Sequence, residues 1–282
     1  MSDEHPSGAA LHRAPSTAPH HLATVQGVLA RIRTAAPLVH SITNYVVMNN
    51  TANALLAVGA SPAMVHALEE VEEFVSISSA LVVNIGTLSP AWVSAMERAA
   101  VRASERGIPW LLDPVGAGAT TYRTETARAL LALRPTVLRG NASEILAVAG
   151  ELGGTRGVDS TAGSDAALEA ATLLAQRHGT TVVITGAVDI ATDGARVVRC
   201  GNGHPLMTRV TGLGCSLSAI TGACLAVESD ALQAAASALV IAGVTGELAA
   251  ARAAGPGSLQ VEMLDALHHL DAAQLAAHAR LW

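Results

Sequence analysis

Residues 208–222 read TRVTGLGCSLSAITG, and their types and spacing suit the binding of an anion. Gly212 and Gly214 flank Leu213, a spacing that lets the backbone turn tightly and come close to a ligand. Small apolar residues follow at helical spacing (Leu217, Ala219, Ile220, Ala223, Cys224). The turn therefore opens a helix whose first N–H groups have no partner within it. The helix dipole adds partial positive charge there, which predicts an anion site, most naturally for phosphate. Cys215 falls in the first turn of that helix, where the pKa of a thiol is expected to fall. A glycine turn before a core helix with a buried, inert cysteine fits the same spacing. Arg209 and Val210 predict a short strand leading into the turn.

Other chemistry-bearing residues stand where short apolar runs end. They are Thr43 and Asn44, Met64, Asn84, Asp113, Arg139, Asn141 and Thr185. In open α/β sheets ligands gather beyond the carboxyl ends of the strands. Asp113, before Pro114, is a Mg²⁺ ligand or contact to its water by one reading and a loop cap by another. Asn141 and Glu144 have the spacing of a capping box. Arg139 at a strand end needs a partner for its charge, and a phosphate would serve. His40 and His204 are lone histidines, more often structural than catalytic.

Composition removes several classes of function. The formal charge is −6, so nothing electrostatic argues for nucleic acid or an anionic membrane. The chain has no lysine, and all 17 basic residues are arginine. That excludes a lysine Schiff base, a P-loop and a protein-kinase site. Any nucleotide phosphate must be held by backbone N–H groups, arginine and metal. Cys200, Cys215 and Cys224 are odd in number and fit no zinc spacing, which points to the reducing cytoplasm. No apolar run is expected to reach about 18 residues without polar breaks, so no membrane span is expected.

The elements that must position these residues alternate. Short apolar runs at 38–44, 61–64, 80–85, 109–112, 136–138 and 181–185 are separated by helical patterns at 23–34, 46–58, 66–79, 90–106, 124–133, after 144, and 165–178. This is the grammar of a mostly parallel sheet with helices on both faces. The acidic Glu69, Glu70, Glu72 and Glu73 read as a solvated face. Residues 151–164 are glycine-rich and predict a loop. Runs at 188–191 and 196–199 around Asp193-Gly194 predict a β-hairpin, and hence antiparallel strands at one sheet edge. Helices are expected at 230–253 and 257–268. Residues 1–22 predict a disordered tail, and 23–282 a single domain. Half the residues are hydrophobic but 2% are aromatic, so the core must be built from Ala, Val, Leu and Ile.

Taken in order, eight segments resemble hydroxyethylthiazole kinases of thiamine salvage, in the ribokinase-like superfamily. They are HSITN at 40–44, GASPAM at 59–64, NIGTL at 84–88, DPVGAGA at 113–119, RGNASE at 139–144, ITG at 184–186, VTGLGC at 210–215 and GPGS at 255–258. The resemblance implies a three-layer α/β/α sandwich and transfer of the γ-phosphoryl of ATP, with Mg²⁺, to the alcohol of 4-methyl-5-(2-hydroxyethyl)thiazole. It further implies that Gly212, Leu213, Gly214 and Cys215 form the anion hole, and that Arg139 and Thr185 contact ATP. Met64 and Gly212, with Asn44 nearby, would contact the thiazole, and Asp113 and Glu144 would surround Mg²⁺. Cys215 stands where most ribokinase-like enzymes have an aspartate base. The family is trimeric with sites at subunit boundaries, which implies a homotrimer. Leu213 departs from relatives that carry a small or hydroxyl residue there.

Three other readings remain open on sequence alone. One is a kinase of another small alcohol, such as a hydroxymethylpyrimidine. Another is an acyl- or thiol-transfer enzyme with Cys215 as nucleophile. The third is a nucleotide-binding module without turnover.

Overall fold

The computed structural model describes residues 19–150 and 160–282. Eight strands form one sheet in the order β2-β1-β3-β4-β5-β6-β7-β8. They are β1 Leu38–Ile42, β2 Ser61–Ala63, β3 Ala80–Asn84, β4 Trp110–Asp113, β5 Val137–Asn141, β6 Thr181–Thr185, β7 Asp189–Thr192 and β8 Val197–Cys200. All neighbours up to β6 pair parallel, and β6-β7-β8 pair antiparallel. The hairpin expected late in the chain is therefore present at the edge of the sheet.

Helices cover both faces. The alternation of side chains along a strand decides which residue meets which layer. Val82 faces one layer with α1 (Pro19–Ala35), α2 (Met48–Val58), α8 (Leu213–Leu225) and α9 (Ala231–Ala250). Leu81 and Val83 face the other, built from α3 (Val71–Ile77), α4 (Pro90–Arg106), α5 (Thr121–Ala132), α6 (Ala142–Ala149) and α7 (Ser160–His178). Two further helices, α10 (Pro256–His269) and α11 (Ala272–His278), complete the first layer. This is the three-layer α/β/α sandwich, with a core of Ala, Val, Leu and Ile in which Trp110 is the largest fully buried side chain.

Several local expectations are corrected. Arg209 and Val210 form no strand: a 3-10 helix spans Pro205–Arg209. The helix expected over 66–79 is reduced to α3, Val71–Ile77, and His40 Nε2 meets the Val65 carbonyl at 2.7 Å in the segment before it. Helix α1 begins at Pro19, a residue suited to a first helical turn, and so includes residues 19–22 of the expected tail. Helix α7 begins at Ser160, inside the expected glycine-rich loop. The tail expected over 1–18 and the loop over 151–159 lie outside the described residues. Helix α11 was not foreseen, although Asp271 and Gln274 form its capping box.

Helix α9 is long and apolar enough to cross a membrane, with a mean hydropathy of 1.4, but 78% of that window is buried inside the fold. It is a core helix, packed on α8, α10 and α1. Of the acidic stretch, Glu69, Glu70 and Glu73 are exposed, and Glu72 pairs with Arg98.

Helix α8 crosses the sheet closely because it is made of small residues. A Cβ at Gly222 would lie 2.5 Å from Val82 Cγ2 and 3.2 Å from Val39 Cγ1. Gly222→Ala adds about 1 kcal/mol of helix propensity but overpacks this contact at about 1–3 kcal/mol. We expect a net loss of stability, read as a lower urea midpoint. An unchanged or higher midpoint would mean that α8 does not rest on β3 this tightly.

Candidate active site

The parallel strands end at one level, because Asn84 is in register with Asp113 and Asn141 with Thr185. A row of polar side chains follows from this, crossing five adjacent strands or the loops that leave them. Asn44 Nδ2 donates to Asn84 Oδ1 at 2.9 Å, and Asn84 Nδ2 donates to Asp113 Oδ2 at 2.8 Å. Arg139 Nη1 lies 3.7 Å from the same oxygen, and Arg139 Nη2 donates to Thr185 Oγ1 at 3.1 Å. Asn44, Asn84, Asp113 and Arg139 are all buried. The partner that Arg139 needs within the protein is thus Asp113.

Helix α8 points its N-terminus at this row. Gly212 is the N-cap with φ +83°, a left-handed conformation, and no side chain caps the helix. The first helical bond runs from Ser216 N–H to the Gly212 carbonyl, so the N–H groups of Leu213, Gly214 and Cys215 precede it. A Cβ on Gly212 would strike Val47 Cγ1 at 2.6 Å. A Cβ on Gly214 would lie 3.2 Å from both terminal nitrogens of Arg139, so this glycine leaves the guanidinium its place against the helix. Three residues beyond Cys215, Ser218 Oγ donates to Asp113 Oδ2 at 2.7 Å and ties helix to sheet.

Two atoms in this region are buried without a hydrogen-bond partner: Asp113 Oδ1 and Arg139 Nε. Burial pushes the Asp113 carboxyl up to about 6; the Arg139 guanidinium and the Ser218 hydroxyl hold it back, and Glu144 pushes it further up. Buried polar groups without a partner are uncommon and call for an explanation, of which a bound ion is one.

Cys215 corrects an expectation. Its Sγ accepts from Asn84 Nδ2 at 3.2 Å and from Asn44 Nδ2 at 3.6 Å. Burial, and then the negative Asp113, push the thiol up to about 11 despite these donors and Arg139. The helix terminus, worth about 0.3–1 kcal/mol, does not overcome desolvation. At neutral pH the group is a thiol. A nucleophilic cysteine would need a base, and the side chains bonded to this sulfur are two amides. His40 is buried against Val65, and burial lowers it to about 4. His204 caps the 3-10 helix through Nδ1. Both histidines are placed structurally.

Glu144 forms the capping box: its Oε2 accepts from Asn141 N–H at 2.8 Å. Its Oε1 accepts from Gly116 N–H at 2.9 Å and so binds the loop after β4. Met64 follows edge strand β2 and packs against the α1/α8/α9 layer. Arg123 was missed from sequence. It donates to the carbonyls of Ile85, Gly86 and Val115, which straps the loops after β3 and β4 together. Ser218 was missed too, although a polar residue three positions after Cys215 on an apolar helix was a readable signal.

A cavity of about 690 Å³ opens beside the helix terminus. Arg139, Thr185 and Gly214 line one part of it; Met207, Leu239 and Met263 give it an apolar part. Asp189 also lines it, and burial pushes this carboxyl up to about 6 against the hydrogen bond from Gly186 N–H and the charge of Arg139. An anion-binding end joined to an apolar end suits a nucleotide. Among the described residues no group of three or more His, Cys, Asp or Glu could hold a metal. A cation here would need oxygen ligands from phosphate and water as well.

The model of the hydroxyethylthiazole kinase family matches residues 29–273. The hydroxyethylthiazole kinase of Granulibacter bethesdensis is 57% identical over 253 residues, 90% of this chain and 92% of that protein. That of Syntrophus aciditrophicus is 57% identical over 252 residues, 89% and 93% of the two chains. The solved structure of the hydroxyethylthiazole kinase protein from Pyrococcus horikoshii superposes with a TM-score of 0.86 at 44% identity, covering 92% of this chain and 98% of that one. A pyridoxal kinase from Staphylococcus aureus, in complex with AMP-PCP and pyridoxal, shares the fold at a TM-score of 0.58 and 17% identity, covering 75% and 88%. The architecture is ribokinase-like, and the chain belongs to the hydroxyethylthiazole kinase family.

Proposed function

We propose that the protein transfers the γ-phosphoryl group of ATP to the hydroxyl of 4-methyl-5-(2-hydroxyethyl)thiazole, a step of thiamine salvage. The observation that carries this reading is the uncapped α8 terminus facing Arg139, with the cavity beside it and Asn44 near Cys215. The family match supports the thiazole alcohol over a hydroxymethylpyrimidine. Incubation with MgATP and the thiazole alcohol should yield the phosphate ester by mass spectrometry, and EDTA should abolish it. No ester from the thiazole, with turnover of a pyrimidine alcohol, would overturn the assignment.

The chain's own residues supply positioning and charge. Phosphoryl transfer passes through a loose transition state that asks mainly for both. The N–H groups of Leu213, Gly214 and Cys215 would receive the transferring phosphoryl, as preorganised donors in a water-poor site. Arg139, braced by Asp113 and Thr185, adds positive charge beside them. Asn44, Met64 and Gly212 are assigned to the thiazole side. Asp113, with its unpartnered oxygen, and Glu144 would hold Mg²⁺, which usually keeps several waters. When bound, Mg²⁺ supplies charge neutralisation at the phosphates.

The rim of the thiazole side supports a homotrimer. Tyr45 and Val46, which follow β1, and Leu56 on α2 are 67%, 65% and 58% exposed. A neighbouring subunit would cover them and complete the site. The three free cysteines support a cytoplasmic location.

Three outcomes test the site. Arg139→Ala should raise the KM for ATP while the protein still folds; an unchanged KM would remove Arg139 from the phosphate site. For Cys215, a protonated thiol and a loose transition state leave little for a base to contribute. General-base contributions otherwise reach about 10²–10⁴-fold, so Cys215→Ala should lower kcat by less, about 10-fold. Cys215→Asp should match or exceed the native rate, because a carboxylate accepts a proton at the same place. A loss near 10⁴-fold in the alanine variant would restore the thiol as an essential base. Sedimentation of the working enzyme should give a trimer; an active monomer at assay concentration would contradict it.

A further inference from the structure

The strand β8 is followed by a segment, residues 201–204, that forms one wall of the 690 Å³ cavity through Asn202, Gly203 and His204. This wall has little structure of its own and is held from outside. Helix α9 passes close behind it: a Cβ at Gly243 would lie 2.5 Å from Asn202 Cβ, and one at Gly246 would lie 2.2 Å from Met207 Sδ. One turn further along α9, Glu247 Oε1 accepts from Gly203 N–H at 2.8 Å and from Asn202 Nδ2 at 3.1 Å.

The same carboxylate meets a residue from far along the chain. Arg280 Nη2 donates to Glu247 Oε1 at 2.5 Å, and Arg280 Nη1 to Oε2 at 3.3 Å, a two-pronged pair. Arg280 also donates twice to the Gly201 carbonyl, from Nη2 at 2.6 Å and from Nε at 3.0 Å. Its own N–H donates to Asn202 Oδ1 at 2.7 Å, and Asn202 Nδ2 reaches the His278 carbonyl at 2.8 Å. The chain then pairs with β8: Arg199 and Trp282 exchange two backbone hydrogen bonds at 2.7 and 2.9 Å. The Trp282 ring closes over Gly201, within 3.1 Å of where a Cβ would stand.

We propose that Glu247 and Arg280 are positioning residues for the nucleotide. They fasten residues 201–204 so that the cavity wall is preformed when the nucleotide enters. Neither residue lines the cavity, so both act through the wall. The pair is half-buried, with side-chain exposures of 16% for Glu247 and 36% for Arg280, and a charge-assisted two-pronged contact fixes geometry as well as energy. A preformed wall raises affinity by sparing the ligand the cost of ordering it. The inference rests on reading this cavity as the nucleotide site.

Calorimetry of MgADP and of the thiazole alcohol on the intact enzyme tests it, with Glu247→Gln, Arg280→Met and Arg280→Lys compared with the native chain. Remote contacts of this kind modulate binding by about 0.5–2 kcal/mol, so Glu247→Gln and Arg280→Met should weaken MgADP about 3- to 30-fold. The KM for ATP should rise in step, with kcat and thiazole affinity unchanged. Arg280→Lys, which keeps the charge but not the fork, should fall between. Unchanged MgADP affinity in folded variants, or parallel loss for both ligands, would overturn the proposal. So would failure of Glu247→Gln to fold, since the network would then be structural. If the native enzyme itself does not bind MgADP, the nucleotide reading of the cavity fails instead.

Discussion

Asp113 is fully buried and carries the structure's central constraint. A carboxylate with no access to water must be met by protein groups or give up its charge. Here the partners come from three directions: Asn84 from β3, Arg139 from β5 and Ser218 from α8. Each of these is fixed in turn, Asn84 by Asn44 and Arg139 by Thr185. The sheet register, the placement of α8 and the orientation of the guanidinium therefore depend on one another. Buried polar networks rigidify a site when satisfied and are costly when not. The two atoms left unpartnered, Asp113 Oδ1 and Arg139 Nε, stand among otherwise satisfied groups.

Bringing α8 onto this network requires small residues. Every position from Ser216 to Leu225 is buried, and Gly222 meets Val82 with no room for a methyl group. A core rich in aromatic side chains would hold the helix farther from the sheet and break the contact from Ser218 to Asp113. The near absence of aromatic residues and the geometry of the anion site are two aspects of the same packing. The glycines at 212 and 214 serve different ends. Gly212 takes a left-handed conformation against Val47, whereas Gly214 leaves space for Arg139.

Cys215 shows how a local rule yields to its surroundings. Its place at a helix terminus favours the thiolate, but the site that gathers N–H donors for a phosphate is also buried and lies beside Asp113. Desolvation and the neighbouring carboxylate oppose the helix field, and they prevail. Glu144 shows a different competition. Both of its oxygens accept backbone N–H groups, from Asn141 and Gly116, so it shapes the loop after Asp113 whatever else it does.

What the chain's sequence determined was local and periodic. Apolar runs that alternate with helical patterns specify a parallel sheet covered on both faces, and the eight strands were readable, with the polar residues at the ends of β1, β3, β4, β5 and β6. So were the hairpin at Asp193-Gly194, the capping box at Asn141 and Glu144, and the glycine turn at 212–214. What only the tertiary structure decided was which of these ends meet, and at what cost. Strand order and register join Asn44, Asn84, Asp113, Arg139 and Thr185 into one row, a fact of pairing between segments up to 46 residues apart. Burial then reverses the expected ionisation of Cys215. It also shows α9, apolar enough for a membrane, to be the packed centre of a layer. Arg123 and the contact between Glu247 and Arg280 act across loops and helices, and no short-range pattern encodes such contacts; Ser218 stood out as a polar residue on an apolar helix, but not its partner Asp113. Spacing along a chain states which groups a segment can present; packing decides their solvent and their partners.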